Sequence, residues 1–264
     1  MRPVRNPPFE HRRERRRLLR AGLAAVAGGA LAGCDALSHD ERAVRVLGSA
    51  EALTRRVQRA LAGRAMAQEF TPADIAPVFR PNGTTRPVGE TYSAHLRDGF
   101  ANWRLQVDGL VERPGSFTLA QLRAMPSRTQ ITRHDCVEGW SCIGQWTGVR
   151  LSHVLQLVGA RPQARYVVFH CMDVMDEGDY RAPYYESVDM DDAYHEQTLL
   201  AWDLNGRRLP VENGAPLRVR VERQLGYKQP KYVQRIELVD SFAALGRGRG
   251  GYWEDLGYSW YGGI

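Results

Sequence analysis

Residues 151–169, LSHVLQLVGARPQARYVVF, set two periodicities side by side. Leu151, Val154, Leu155 and Val158 recur at three- and four-residue steps around Ser152, the pattern of one apolar helix face. Past Gly159 and Pro162, Arg165-Tyr166-Val167-Val168-Phe169 is short and largely β-branched or aromatic, like a strand buried on both faces. Working outward, Trp103-Arg104-Leu105-Gln106-Val107 alternates as a half-buried strand and stops at Asp108-Gly109. Thr118 is placed to cap a short helix over 119–125. Residues 128–133 read as a strand and 134–149 as a loop with several Gly and Trp. Residues 198–202, 217–221 and 233–239 read as further strands, with Asn205-Gly206 a hairpin turn. Toward the amino terminus, Leu47, Ala50, Leu53, Val57 and Leu61 mark an amphipathic helix within 44–66. Thr71-Pro72-Ala73-Asp74 is a helix start or turn, and 80–99 reads as a long Gly- and Pro-rich loop. Helices and strands mingle without βαβ alternation or internal repeats. The expected class is α+β, with mixed sheets and short helices.

The formal charge of the 264 residues is +6, which invites a nucleic-acid reading until the charge is located. Residues 1–33 hold eight arginines against Glu10 and Glu14 and so carry the whole excess. The remaining 28 basic and 28 acidic residues cancel. A neutral body gives little attraction to a phosphate backbone, so no nucleic-acid partner is expected. Four cysteines without a CxxC pair exclude a disulfide scaffold and make a zinc ribbon or c-type haem unlikely as a reading.

Arg15-Arg16-Arg17-Leu18-Leu19-Arg20 fits a twin-arginine export pattern, and an apolar run over 23–31 follows it. Leu31-Ala32-Gly33-Cys34 has the form of a lipobox, with Cys34 as the acylated residue. The expected division is a twin-arginine lipoprotein signal over 1–33, a tether and amino-terminal helix over 34–68, and a catalytic domain over 69–264. The expected location is the periplasm, on a lipid anchor at Cys34.

Arg133-His134-Asp135-Cys136-Val137-Glu138-Gly139-Trp140-Ser141 carries the candidate chemistry. A thiolate is both a nucleophile and a soft-metal ligand, and a neighbouring cation such as Arg133 favours it. A disulfide between Cys136 and Cys142, or a buried structural thiol, is the alternative at this point.

The run CVEGWSCIGQWTGVRLSHVL, starting at Cys136, resembles the catalytic-cysteine segment of the sulfite-oxidase-type molybdopterin oxidoreductases. The likeness is nearest to the catalytic subunits of bacterial protein-methionine-sulfoxide reductases, and it extends from about Trp103 to Val239. Two further motifs follow in order: Asn213-Gly214-Ala215-Pro216-Leu217-Arg218 and Gly226-Tyr227-Lys228-Gln229-Pro230-Lys231. The resemblance implies a sulfite-oxidase-type molybdopterin-binding fold and a molybdenum-molybdopterin cofactor with Cys136 as the metal ligand. It implies cofactor contacts from Asn82, Cys171, Asn213, Arg218, Gln229, Pro230 and Lys231, with Lys228 a secondary candidate. Cys171 stands where the family often has Thr. Arg offers a fork suited to phosphate, and Asn can donate and accept toward a pterin edge. His134 and Glu138 are expected beside Cys136, as catalytic or metal-tuning groups. His134, His170 and His195 lack the spacing of a separate metal site.

On this reading the chain moves an oxygen atom to or from a small S- or N-oxide, and a sulfoxide reductase is favoured. The carboxylate of Glu138 beside the pocket repels sulfite, where sulfite-oxidising relatives place arginines. The alternatives are a sulfite dehydrogenase and a non-enzymatic solute-binding lipoprotein holding a Cys136–Cys142 disulfide. Without a haem, Fe–S or Rossmann motif in the chain, electrons are expected from a membrane haem protein or cytochrome c. The substrate is expected to be a small molecule or oxidised methionine, and the enzyme a monomer.

Overall fold

The computed structural model describes residues 40–63 and 65–264; the twin-arginine motif, the apolar run and Cys34 lie outside them. Two compact units divide between Val57 and Gln58. The described part of the first belongs to helix α1, Glu41–Ala62. The second holds two five-stranded sheets and short helices, as the α+β pattern predicts.

The first sheet is built from β1 (Arg104–Gly109), β2 (Gly115–Thr118), β5 (Tyr166–Glu177), β6 (Tyr180–Asp189) and β10 (Val233–Val239), in the order β2-β1-β10-β5-β6. Within it only β1 and β10 run parallel, with Val107 opposite Ile236. The second comprises β3 (Ser127–Asp135), β4 (Ser141–Arg150), β7 (Leu199–Leu204) and β8 (Arg207–Arg208) in that order, with β9 (Arg218–Arg220) paired to β7. The Asn205-Gly206 turn joins β7 to β8 with both residues at positive φ, 52° and 71°, as a tight hairpin requires.

Four short helices follow α1: α2 (Glu90–Arg97), α3 (Leu119–Ala124), α4 (Leu151–Val158) and α5 (Met190–Ala193), with α6 (Tyr252–Asp255) near the carboxyl end. Thr118 caps α3 as expected, accepting a hydrogen bond from the Gln121 amide. The stripe of α4 is buried with Val167, Ile236 and Leu238 of the first sheet and Val149, Leu200 and Val219 of the second. Each such side chain contributes roughly 1.5–3 kcal/mol relative to an exposed one. A smaller cluster of Phe79, Cys142, Trp146, Ala201 and Leu204 gathers around β4.

Three expectations change. The segment 80–99 contains helix α2, because its central residues 90–97 lack Gly and Pro and Gly89 and Gly99 bracket them at positive φ. Much of 134–149 is strand: along β4, Cys142, Gly144 and Trp146 point inward alternately, and the glycine hides the period. Strands β2 and β6 extend the first sheet beyond the elements read from sequence.

Candidate active site

The β3–β4 hairpin presents Cys136 at its tip. The Cys136 amide donates to the Trp140 carbonyl (2.9 Å), and the Gly139 amide donates to the Cys136 carbonyl (3.0 Å). Gly139 lies at φ 85°, where a side chain is strained. Asp135 braces the base of this turn, accepting from Ser141 Oγ (2.5 Å) and from Arg133 Nε (3.0 Å). Burial pushes the Cys136 thiol above its ordinary value, and the Glu138 charge adds to that, while the Glu138 backbone and Arg80 pull the other way. Glu138 is held at the exposed rim by Trp140, whose Nε1 donates to its Oε2 (2.8 Å). Arg80 stacks over the Trp140 ring at 4.9 Å.

Cys136 opens into a cavity of about 110 Å³ lined also by Asn82, Glu138, Gln229, Pro230 and Lys231. Segments far apart in the chain thus bring five of the expected residues, and the intervening proline, to one hollow. Gly214, at φ 118°, lets the Asn213–Arg218 loop meet the Lys231 loop. A Cβ at Gly214 would lie 2.9 Å from Lys231 Cβ and 3.3 Å from Arg218 Cβ. Asn82 ties the two together: its Oδ1 accepts from Arg218 Nη2 (3.4 Å) and its carbonyl accepts from Lys231 Nζ (2.6 Å).

The cations here differ in how they are compensated. Arg220 is fully buried and paired with Glu222 at 2.6 Å. Arg218 is equally buried but hydrogen-bonds only the Asn213 carbonyl and Asn82, and its Nε has no partner. Lys231 is 7% exposed, and its ammonium donates to the backbone carbonyls of Asn82, Thr84 and Glu212. Burial and then the neighbouring Arg220 push Arg218 down to about 9; burial and then Arg218 push Lys231 down to about 7. A buried charge without a counter-charge is costly. Two buried cations side by side with no ion-paired carboxylate, and the buried Asn213 Nδ2 also unpartnered, form a donor set suited to an anionic phosphate. These residues therefore fit the phosphate-bearing pterin group that the motifs imply.

Four expected residues stand elsewhere. Lys228 does not face the cavity: it is fully buried between Glu186 and Glu254 (2.5 Å to the latter), which hold its pKa above the ordinary value. Its charge is satisfied within the protein. His134 lies behind the cavity, completely buried, its Nδ1 accepting from Arg220 Nη1 (3.1 Å). Burial and the adjacent Arg218 and Arg220 push the imidazole pKa well below its ordinary value. A Cβ at Gly226 would come within 2.5 Å of His134 Nε2, so the ring wedges against the 226–231 loop. Cys171 is a buried thiol lining a different hollow of about 700 Å³. Asn213 lies beside Arg218 rather than in the cavity wall.

Cys136, Cys142 and Cys171 are free thiols, which overturns the Cys136–Cys142 disulfide. The strand register sets Cys142 opposite His134, and its Sγ turns toward the Val78 carbonyl (3.6 Å). The other two histidines are engaged apart from one another: His170 Nε2 meets Glu237 (2.9 Å), and His195 Nδ1 accepts from the Gln197 amide (3.2 Å).

The cavity also holds residues that motif reading passed over. Asp173, 3% exposed, lines it with Oδ1 unpartnered, and burial pushes its pKa up to about 6. Its signal in the sequence was a lone acid in the apolar run of β5, two residues beyond Cys171. Trp253 and Tyr258 form another wall. They come from segment 242–264, which had no assigned role, and Glu254 of that segment is the second partner of Lys228.

A family model described as the oxidoreductase molybdopterin binding domain matches residues 93–244. The chain belongs to this family. It is a molybdopterin-binding oxidoreductase of the sulfite-oxidase type. A putative protein-methionine-sulfoxide reductase subunit of Azospira oryzae is 42% identical over 200 residues, covering 74% of this chain and 70% of that protein. A protein-methionine-sulfoxide reductase catalytic subunit of Xanthomonas axonopodis pv. citri is 38% identical over 167 residues, 61% of this chain and 50% of its own length. The chain thus spans about half of that relative. The sulfane dehydrogenase crystal structure from Paracoccus pantotrophus aligns over 53% of this chain and 39% of its own, at 25% identity and TM-score 0.48. Membership of an oxidoreductase family sets aside the non-enzymatic solute binder.

Proposed function

We propose that the chain reduces a sulfoxide to a thioether, with Cys136 holding molybdenum in a molybdopterin cofactor. The observation that carries the cofactor assignment is the pair of buried cations beside the Cys136 cavity, Arg218 and Lys231, whose hydrogen bonds go to amide and backbone oxygens rather than to a carboxylate. Lys231, Arg218 and Asn213 would hold the phosphate, Asn82 and Gln229 the pterin edge, and Cys136 the metal. When bound, the cofactor supplies a two-electron redox centre that accepts an oxygen atom.

The residues around it favour a neutral substrate. Glu138 sets a carboxylate at the rim, which repels a dianion such as sulfite, while Met175, Trp253 and Tyr258 offer apolar surface to a methyl thioether group. Asp173, whose pKa burial raises to about 6, is placed to hold a proton that sulfoxide reduction consumes. The names of the relatives support oxidised methionine as the substrate class. Electrons would come from a separate redox protein, a membrane haem protein or a cytochrome c. The leader over 1–33 and Cys34 support a lipid-anchored enzyme in the periplasm, exported by the twin-arginine route. The reading is tested by steady-state turnover of the molybdenum-loaded chain. Methionine sulfoxide should be reduced with a low-potential dye as donor, and sulfite should not be oxidised. The opposite preference would establish the sulfite dehydrogenase instead.

A further inference from the structure

Helix α1 presents an apolar stripe to solvent. Val46 is 68% exposed, Leu53 62%, Val57 47% and Leu61 84%, with Ala50 exposed between them. At about 100° per residue these five fall within about 80° of the helix surface. The stripe runs about 22 Å along the axis at 1.5 Å per residue. An amphipathic helix of a soluble domain buries this face; here its residues are exposed. Contiguous exposed apolar surface of this kind marks an interaction site.

Charge and chain position select the occupant. The helix holds five arginines, Arg42, Arg45, Arg55, Arg56 and Arg59, against Glu41 and Glu51. Exposed Arg42 and Arg56 lie along one edge of the stripe. An apolar face edged by guanidinium groups suits the headgroup boundary of an anionic bilayer. Cys34 lies seven residues before Glu41, so even a fully extended connection spans at most about 25 Å. The helix therefore starts close to whatever Cys34 is attached to. Among the described residues no helix is long and apolar enough to cross a membrane, so the fitting geometry is one that lies in the interface.

We propose that α1 lies on the membrane, its Val46–Leu61 stripe buried in the headgroup boundary of anionic lipid and its exposed Arg42 and Arg56 on the phosphates, while Arg59 stays paired with Asp189 and Asp192. This is independent of the substrate assigned above. The helix would also hold the catalytic unit beside a membrane-bound electron donor.

The test is flotation of the cofactor-loaded chain from residue 34 onward, carrying Cys34→Ser so that the helix alone is read. Lipid-only vesicles of mixed anionic and neutral lipid should carry the protein up, and added salt should weaken this. The triple variant Leu53→Gln/Val57→Gln/Leu61→Gln uses a good helix former on an exposed face, so helicity and melting should hold. Its partition onto vesicles should fall by about tenfold or more. Arg42→Gln/Arg56→Gln should lose binding to anionic vesicles selectively. A parent chain that stays with the bare protein fraction, or a triple variant that floats as well as the parent, overturns the proposal. So does flotation only with vesicles carrying a protein partner, which would make the stripe a protein interface.

Discussion

Lys228 and Lys231 lie three residues apart in one loop, and both are buried, yet their surroundings are opposite. Lys228 sits between two carboxylates of the protein, which more than offset its desolvation and hold its pKa up. Lys231 donates to three carbonyl oxygens and faces Arg218, and its pKa falls to about 7. The first ammonium is complete without a ligand and ties the carboxyl-terminal segment to β6. The second has no carboxylate within hydrogen-bond reach, and the nearby Asp173 does not offset its burial. A buried cation becomes a binding group when the fold withholds its counter-charge, whatever motif it belongs to.

Substitution separates the two most strongly. Lys228→Met leaves Glu186 and Glu254 buried side by side without a cation, and should cost about 3–5 kcal/mol of stability by denaturant titration. It should also loosen the Trp253 wall of the cavity, seen as faster hydrogen exchange over 252–258. Lys231→Met should leave the cofactor-free chain within about 1 kcal/mol of the parent, because the lost hydrogen bonds to carbonyls offset the relieved charge. Its purified form should nonetheless hold less than about a tenth of the parent's pterin, a loss equivalent to about 1.4 kcal/mol. Equal stability losses in the two variants would erase the distinction.

A smaller effect sharpens the same contrast through pH. With its folded pKa lowered to about 7, Lys231 binds fewer protons in the folded than in the unfolded chain between pH 7 and its ordinary value near 10.5. The cofactor-free chain should therefore gain stability as pH rises through that window, by at most about 1.4 kcal/mol per pH unit from this one group. Lys231→Met should remove that gain, and so should bound pterin phosphate, which keeps the ammonium protonated. Lys228 contributes no such rise, since its pKa is shifted upward.

The three motifs read from sequence were sufficient to place the site because each supplies backbone geometry as well as a side chain. Gly139 turns the hairpin at Cys136, Gly214 permits the close approach of the two binding loops, and Gly226 permits that of its loop to His134. Spacing could not say which side chain of a motif faces the ligand. Lys228 and His134 belong to the right segments and point into the wrong surroundings, and that is decided by Glu186, Glu254 and Arg220 from elsewhere in the chain. Asp173 was missed for the converse reason, being a solitary acid whose function follows only from its burial near Lys231. Strand β4 escaped notice because Gly144 interrupts its apolar alternation, while α4 and β10 were legible from uninterrupted apolar periodicity.

The central claim is that Cys136 is the protein's bond to molybdenum while the cation pair holds the pterin phosphate. The most direct measurement is the X-ray absorption spectrum of molybdenum in the loaded parent and in Cys136→Ser, taken with pterin content and turnover. The account predicts one fewer sulfur neighbour in the variant, retained pterin and a turnover lower by at least about a thousandfold, or about 4 kcal/mol in barrier. An unchanged sulfur count with full molybdenum and parental turnover would contradict it.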